Sequence, residues 1–303
     1  MPSRLQEPIY LPYRDKAEAE AVFVAVTHAE NSAYFKALDA TKPDFFLFLI
    51  LPNYFETIAS DCQQVFNNIL LKMADIELSQ DDIERHVYVW AAIREYVVER
   101  QQSGNIACLR TDRPAGTYEY VGFEPTKQQF DAAIDAVLKS KDHFLTVIGK
   151  DMTQYREMAS KHGLDILAQE ALMTVDLSGL AADSATTASF VKEFEAKDMG
   201  IATRCRLTVT TTEEQGNKPA ASGQVGIQRD MAVFDKIKTE EDMRRKGLGS
   251  LIMRSLGAEA HARGARTGWL IATLEGQFLY THLGWKHSYW VLVLGDKNVI
   301  ENP

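Results

Sequence analysis

The most informative part of the sequence is Arg244-Arg245-Lys246-Gly247-Leu248-Gly249-Ser250, which lies between a β-type run and an amphipathic helix pattern. Its two glycines permit backbone conformations that other residues avoid, and they let a ligand approach the main chain closely. The helix predicted over residues 249–263 would point its unpaired N–H groups and the positive end of its dipole at the same place. Together with the three cations, these features predict a binding site for an anion such as a pyrophosphate.

The surroundings of this turn are basic, although the whole chain is acidic. The 303 residues carry 33 Lys and Arg against 42 Asp and Glu, a formal net charge of −9. Residues 236–266 instead hold eight Lys or Arg against four Asp or Glu, a net charge of +4. Because overall negative charge disfavours general nucleic-acid binding, we expect no nucleic-acid partner. The local excess of cations suits a single anionic ligand.

Composition and segment lengths exclude several other classes of protein. Hydrophobic residues make up 46% of the chain and charged residues 25%, values typical of a globular protein. The longest apolar run, residues 45–51, is too short to cross a bilayer, and no signal-type segment opens the sequence, so we expect a cytoplasmic protein without a membrane partner. The scattered Cys62, Cys108 and Cys205 predict neither disulfides nor a metal pair, and no ligand spacing predicts a metal.

Two nucleotide-binding motifs can be compared with the glycine turn. A P-loop requires Gly-x-x-x-x-Gly-Lys-Ser/Thr, which does not occur in the sequence. A dinucleotide-binding turn requires a third glycine, where Ile252 stands, and it follows a strand directly, whereas charged residues 240–246 intervene here. Both motifs are therefore disfavoured. Nucleotide or polyanion binding by the basic turn alone stays an alternative.

A second motif follows the turn. Residues 269–273 predict a strand, and Leu279-Tyr280-Thr281-His282-Leu283-Gly284-Trp285 follows it closely. In order and spacing, the strand at residues 234–239, the glycine turn and this second motif resemble motif A and the Leu-Tyr-x-x-Leu-Gly-Phe signature of the GNAT superfamily of acyl-CoA N-acyltransferases. The resemblance covers residues 201–294. It implies transfer of an acetyl group from acetyl-CoA (CoA) to an amine of a small molecule or peptide.

The resemblance also implies an α/β fold with an α+β layout. We expect a GNAT-like domain over residues 178–303, with a mixed sheet flanked by helices, after a mainly helical or mixed domain over residues 1–177. Periodicity predicts helices over residues 54–73, from an N-cap at Ser79 to about residue 103, and over 126–139, with a strand at 143–148. Residues 143–177 fit either a degenerate acyltransferase-like half or an extension that shapes the acceptor cleft. Residues 178–189 predict a linker.

The resemblance implies roles for individual residues. Backbone groups of Ile237 and Thr239 would pair with the pantetheine arm as an added strand does. Thr273 stands where the family often has Asn, and its hydroxyl can still hydrogen-bond the pantetheine. Tyr280 would donate a proton to the leaving CoA thiolate, which is the proton donor that thioester cleavage needs. The turn residues would surround the pyrophosphate: Arg244, Arg245, Lys246, Gly247, Leu248, Gly249 and Ser250.

The general base is assigned on weaker grounds than the acid. Asp235 is the acidic residue of the strand predicted over 231–239, and strand alternation would place it on the face of Ile237 and Thr239. The resemblance favours it as the base, and a solvent-facing aspartate is the alternative, with Asp230 and Glu240 as weaker candidates. His282 and His287 are expected to be surface or packing residues. A CoA-binding sensor or scaffold without turnover is the alternative function, and a homodimer is compatible with the sequence.

Overall fold

The computed structural model describes residues 77–179 and 190–297, together with the backbone of two short strands nearer the N-terminus. The chain divides into two compact units, residues 1–72 and 73–303. In the first unit, strands β1 (Val26–His28) and β2 (Ser32–Tyr34) pair antiparallel. The helix predicted over residues 54–73, and Cys62 within it, lie outside the described residues.

Helices and strands mix in the second unit before residue 180. Its helices are α1 (Gln80–Ile93), α2 (Lys127–Val137) and α3 (Thr153–Lys161). Its strands are β3 (Val97–Arg100), β4 (Ile106–Leu109), β5 (Tyr118–Phe123), β6 (Phe144–Gly149) and β7 (Asp165–Asp176).

From residue 190 the chain forms four consecutive strands, and strands then alternate with helices up to residue 295. Its strands are β8 (Phe190–Asp198), β9 (Thr203–Thr211), β10 (Pro219–Gln228), β11 (Met231–Thr239), β12 (Thr267–Ala272) and β13 (Lys286–Gly295). Its helices are α4 (Leu248–Ala262), which follows the glycine turn, and α5 (Leu274–His282).

The strands of residues 77–179 and 190–297 form one mixed sheet in the order β3-β4-β5-β6-β13-β7-β12-β11-β10-β9-β8. Only β5–β6 and β11–β12 are parallel among these neighbours. Strand β7 lies between β13 and β12 and pairs antiparallel with both. The boundary predicted between residues 177 and 178 therefore falls inside a continuous sheet, and the compact unit 73–303 spans it.

Helices cover both faces of the sheet. Helix α4 buries Leu251, Ile252 and Leu256 in a core shared with β9, β10 and β11, and α1 packs on the other face through Val89. Close approach of α1 depends on Gly226, because a Cβ there would lie 2.7 Å from Val89 Cγ1. This contact fixes α1 against β10 and so places the end of α1 beside β11.

Several predicted elements need correction. Helix α1 begins at the predicted N-cap, where Ser79 and Asp82 form a capping box, but it ends at Ile93 instead of near residue 103. Glu95 has a positive φ of 62° and turns the chain, and the β-branched Val97-Val98 pair then begins β3. No element was predicted for β8, an edge strand of the sheet that is exposed from Val191 to Asp198 and carries several charged side chains.

Candidate functional site

A cleft opens where the two parallel strands β11 and β12 separate. They pair over three residues only, from Met231 opposite Thr267 to Val233 opposite Trp269. Strand β11 then continues to Thr239 and β12 to Ala272 without pairing to each other. The backbone edge of β11 beyond Val233 is therefore available on this side for an extended ligand to pair with.

A β-bulge in β11 shapes the wall of this cleft. Gln224 of β10 lies opposite Asp235 and Ser222 lies opposite Lys238, so β11 holds one extra residue, and Lys236 has a φ of 51°. Ile237 consequently packs with Phe234 in the core beneath α4, while Asp235 faces α1. The predicted shared face of Asp235 and Ile237 is therefore wrong, because the bulge reverses the alternation between them.

The glycine turn precedes α4 as predicted. Arg245 and Gly247 have positive φ values of 61° and 76°, and Gly247 is the N-cap of the helix, which no side chain caps. The first amides of α4 therefore point out of the helix without a capping side chain, which is the arrangement that binds anions. Arg244 forms an exposed ion pair of 3.6 Å with Glu275 of α5, and Lys246 Nζ lies 3.3 Å from Met243 Sδ.

Tyr280 lies on α5 at the inner end of the cleft. The N-cap of this helix is Thr273, whose Oγ1 accepts a hydrogen bond of 3.2 Å from Gly276 N, so its hydroxyl hydrogen stays able to donate. Tyr280 is 9% exposed, and burial followed by the charge of Asp235 raises the pKa of its phenol to about 12. The phenol therefore keeps its proton at every physiological pH.

Asp235 is held by a bidentate ion pair. Arg94 at the end of α1 donates from Nη2 to Oδ1 at 2.6 Å and from Nε to Oδ2 at 2.8 Å, and Gln224 Nε2 donates to Oδ2 at 2.9 Å. Burial alone would raise the pKa of Asp235, but the hydrogen bond and charge of Arg94 outweigh it, so the pKa is lowered. An ionised carboxylate with three donors is a weak proton acceptor.

Asp235 and Tyr280 line a cavity of about 440 Å³, together with residues from both halves of the sheet. Of the residues predicted from the sequence, it contains Asp235, Ile237, Thr273 and Tyr280. Thr239 and the turn residues 244–250 do not line it. A separate cavity of about 410 Å³ is lined by Lys246 of the turn.

The cavity also contains residues that the sequence analysis did not single out for a function. They come from the half before residue 180: His86, Trp90, Arg94, Arg110, Arg113, Glu119, Phe144, Thr146, Ala168 and Glu170. Arg110 and Glu119 form a buried ion pair of 2.6 Å, and Arg110 also binds Asp112. The charge of Glu119 in a strand is a local signal that could have drawn attention to this wall.

The other residues that the sequence analysis considered do not line this cavity. Asp230 pairs with Arg85 and Glu240 pairs with Lys238, both at exposed positions. His282 is exposed, whereas His287 is buried, and burial lowers its pKa to about 4. Cys108 and Cys205 are free and buried.

Among residues 77–179 and 190–297, no three His, Cys, Asp or Glu side chains gather as a metal site. None of the helices in this part of the chain is long and apolar enough to span a membrane.

Comparison of the whole chain with known structures identifies its fold. A GCN5-related N-acetyltransferase from Kribbella flavida matches with a TM-score of 0.50 and 14% identity, over 73% of this chain and 96% of that one. A tandem GNAT protein from the clavulanic acid biosynthesis pathway (TM-score 0.48, 10% identity) matches over 72% and 96% of the two chains. A GCN5-related N-acetyltransferase from Sphaerobacter thermophilus (TM-score 0.42, 10% identity) matches over 66% and 75%. No protein-family model and no curated protein matches the sequence.

The chain therefore has a GNAT-like N-acyltransferase fold over much of its length, and the match to the Kribbella protein carries this assignment. The predicted fold class, with a mixed sheet flanked by helices, is confirmed.

Proposed function

We propose that this chain transfers an acetyl group from acetyl-CoA to an amine by direct attack. The observation that carries the proposal is the separation of β11 from β12 after Val233, between the glycine turn and a buried Tyr280. An extended arm can lie along the free edge of β11, with its anionic end at the turn and its reactive end at the cavity.

The residues present fit the cofactor in charge and shape. The exposed edge of β11 at Ile237 and Thr239 offers backbone groups to a pantetheine arm. The hydroxyl of Thr273 can donate to a carbonyl of that arm. The amides at the start of α4, with the cations of the turn, suit a pyrophosphate. Residues that would surround it are Arg244, Arg245, Lys246, Gly247, Leu248, Gly249 and Ser250.

Acetyl-CoA, when bound, supplies a thioester whose carbonyl carbon the amine nitrogen attacks, so that the C–S bond breaks as the C–N bond forms. Tyr280 holds the proton that the thiolate needs, because its phenol stays protonated. Burial keeps water away from this proton donor and strengthens its hydrogen bond to a developing charge. The nitrogen gives one proton to water in the same reaction, and water returns one proton to Tyr280 after the thiol has left, so that no net proton is gained or lost.

Asp235 as the general base stays a prediction, and its geometry favours another role. Its two oxygens accept hydrogen bonds from Arg94 and Gln224, which leaves the carboxylate weakly basic. We therefore assign Asp235 to positioning: it holds the end of α1 against β11 and fixes one wall of the cavity.

Calorimetry with acetyl-CoA, followed by a thiol-release assay over a panel of amines, tests the proposal. We expect saturable binding of acetyl-CoA and release of CoA thiol that depends on an amine. Binding of acetyl-CoA without thiol release would favour the alternative of a CoA-binding sensor or scaffold. Absence of binding at high micromolar acetyl-CoA would overturn both.

A further inference from the structure

The charged side chains of the 440 Å³ cavity divide into paired and unpaired groups. Arg94 pairs with Asp235 at 2.6 Å, and Arg110 pairs with Glu119 at 2.6 Å. The second oxygen of Glu119 accepts from Thr146 at 2.7 Å, so each oxygen of that carboxylate already accepts a hydrogen bond. These four charged groups belong to the framework of the cavity and leave no strong site for a ligand.

Glu170 and Arg113, unlike these four groups, have no charged partner among the described residues. Both line the cavity and both are half-buried, yet neither forms a hydrogen bond or an ion pair with any residue of 77–179 or 190–297. They also do not pair with each other. Burial, followed by the nearby charge of Glu119, raises the pKa of Glu170, and Arg94 opposes this shift. A half-buried charge without a partner is costly, and a bound ligand of opposite charge would compensate it.

A third side chain points to a polar occupant. His86 is 2% exposed and lines the same cavity, and neither of its ring nitrogens has a hydrogen-bond partner. Buried polar atoms without partners are rare in folded proteins, and each costs free energy. Within the part of the chain that the structure describes, the cavity therefore combines an unpaired anion, an unpaired imidazole and two unpaired cations, the half-buried Arg113 and the exposed Lys236, which is a lining suited to a charged, polar molecule.

We propose that the acceptor is a small amine that also carries an anionic group, with Glu170 binding its ammonium and Arg113 binding the anion; the ammonium gives one proton to water before the neutral nitrogen attacks. This inference rests on the proposed function, since it names the acceptor of the same site. Glu170 lies on β7, directly before Ala171, which is opposite Ala272 of β12, so the ammonium site adjoins the strand that leads to Tyr280. Arg113 lies in the loop between β4 and β5, where a guanidinium can bind a carboxylate or a phosphate through two hydrogen bonds.

The experiment uses the full chain and four probes, first without cofactor. β-Alanine and 4-aminobutyrate carry a carboxylate, O-phosphoethanolamine carries a phosphate, and ethylamine carries no anion. Calorimetry measures their affinities for the unmodified protein and for the variants Arg113→Ala and Glu170→Gln. Arg206→Ala and Glu193→Gln, at exposed positions on β9 and β8, are the matched controls.

We expect at least one anion-bearing amine to bind about tenfold or more tightly than ethylamine, since hydrogen bonds between charged groups are the strong ones. Arg113→Ala should lower this ratio by about tenfold, and Arg113→Lys should restore part of it. Glu170→Gln should weaken all amines that bind by about tenfold. The controls should keep the ratios of the unmodified protein. Which anion binds best distinguishes a carboxylate from a phosphate.

Equal affinity for ethylamine and the anion-bearing amines, or no binding of any probe, would overturn the inference. So would an Arg113→Ala variant that weakens all four probes equally. The same probes are then used in the thiol-release assay. If acetyl-CoA does not bind while the amine preference holds, the proposed function fails and the polar cavity stands. If acetyl-CoA binds and thiol is released without any preference for an anion, only the acceptor assignment fails.

Discussion

Arg94 holds both carboxylate oxygens of Asp235, at 2.6 Å and 2.8 Å, and so joins the end of α1 to the middle of β11 across 141 residues of sequence. The side chain of Asp235 is 9% exposed and that of Arg94 is 20% exposed. The pair therefore lies where water screens it poorly, and it forms one wall of the cavity.

Removal of one partner of this pair should destabilise the protein. Arg94→Ala leaves a buried carboxylate without its counter-ion, so we expect the free energy of unfolding to fall by about 3 kcal/mol. Urea denaturation followed by circular dichroism measures the change. Arg100→Ala is the control, because Arg100 pairs with Glu84 at an exposed position and its loss should cost less than about 1 kcal/mol. Equal losses in the two variants would contradict the structural role of the Arg94 pair.

Tyr280→Phe should remove the proton donor and leave the fold intact, since the ring stays in place. We expect kcat of acetyl transfer to fall by about 10²- to 10⁴-fold, with little change in the affinity for acetyl-CoA. Thiol release and calorimetry measure the two effects separately. Tyr88→Phe, at a partly exposed position on α1, should change neither. Unchanged turnover in Tyr280→Phe would exclude the phenol as the acid.

The pH dependence of the free energy of unfolding should reveal the lowered pKa of the buried histidines. Burial lowers the pKa of His287 from 6.5 to about 4, so the unfolded chain binds a proton that the folded chain rejects. The titration of His287 therefore has no effect on the free energy of unfolding above pH 6.5, and this free energy falls by roughly 3 kcal/mol as the pH falls toward 4. His287→Leu should flatten the decline in unfolding free energy between pH 7 and 4.5.

The control for this prediction is His162→Leu, because His162 is exposed. Its decline in stability with acid should match that of the unmodified protein. His86, whose pKa is lowered to about 4 by burial against an opposing effect of Asp235, should still contribute in both variants. A His287→Leu variant with an unaltered pH profile would contradict the low pKa of His287.

Gly247→Ala tests the turn in front of α4. At a φ of 76° an alanine is strained by about 1 kcal/mol, and the strain should shift the amides that face the anion. We expect a several-fold loss of affinity for CoA, measured by calorimetry. Gly264→Ala is matched, because Gly264 also has a positive φ, 98°, and no atom within 4 Å of a Cβ there. Its stability cost should be similar and its CoA affinity unchanged. Equal CoA affinities in the two variants would contradict a role for the turn.

Local sequence signals predicted the elements around the turn well. The strand predicted over residues 231–239 has those bounds in the structure, and helix α4 begins within one residue of its predicted start. The bulge at Lys236 could not be predicted, because a lysine at positive φ gives no glycine or asparagine signal. It reversed the expected face of Asp235.

The wall of the cavity opposite Tyr280 was not predictable from local patterns. Arg94 finds its partner 141 residues away, and Glu170 comes near the cleft only because β7 is inserted beside β12. Such long-range pairing depends on the register of a whole sheet, which no window of a single sequence contains. The sequence shows that Glu170 is a charged residue in a strand-like segment, but it does not show that the residue lies beside the cleft.

The position of β7 between β12 and β13 has a consequence for synthesis on the ribosome. Residues 144–176 emerge first, yet β6 and β7 find their shared partner β13 only when residues 286–295 have been made. Until then the nascent chain carries two strands with open edges, which favours capture by chaperones or by other chains. Folding of the sheet is therefore completed only once β13 is available, and this strand joins β6 to β7.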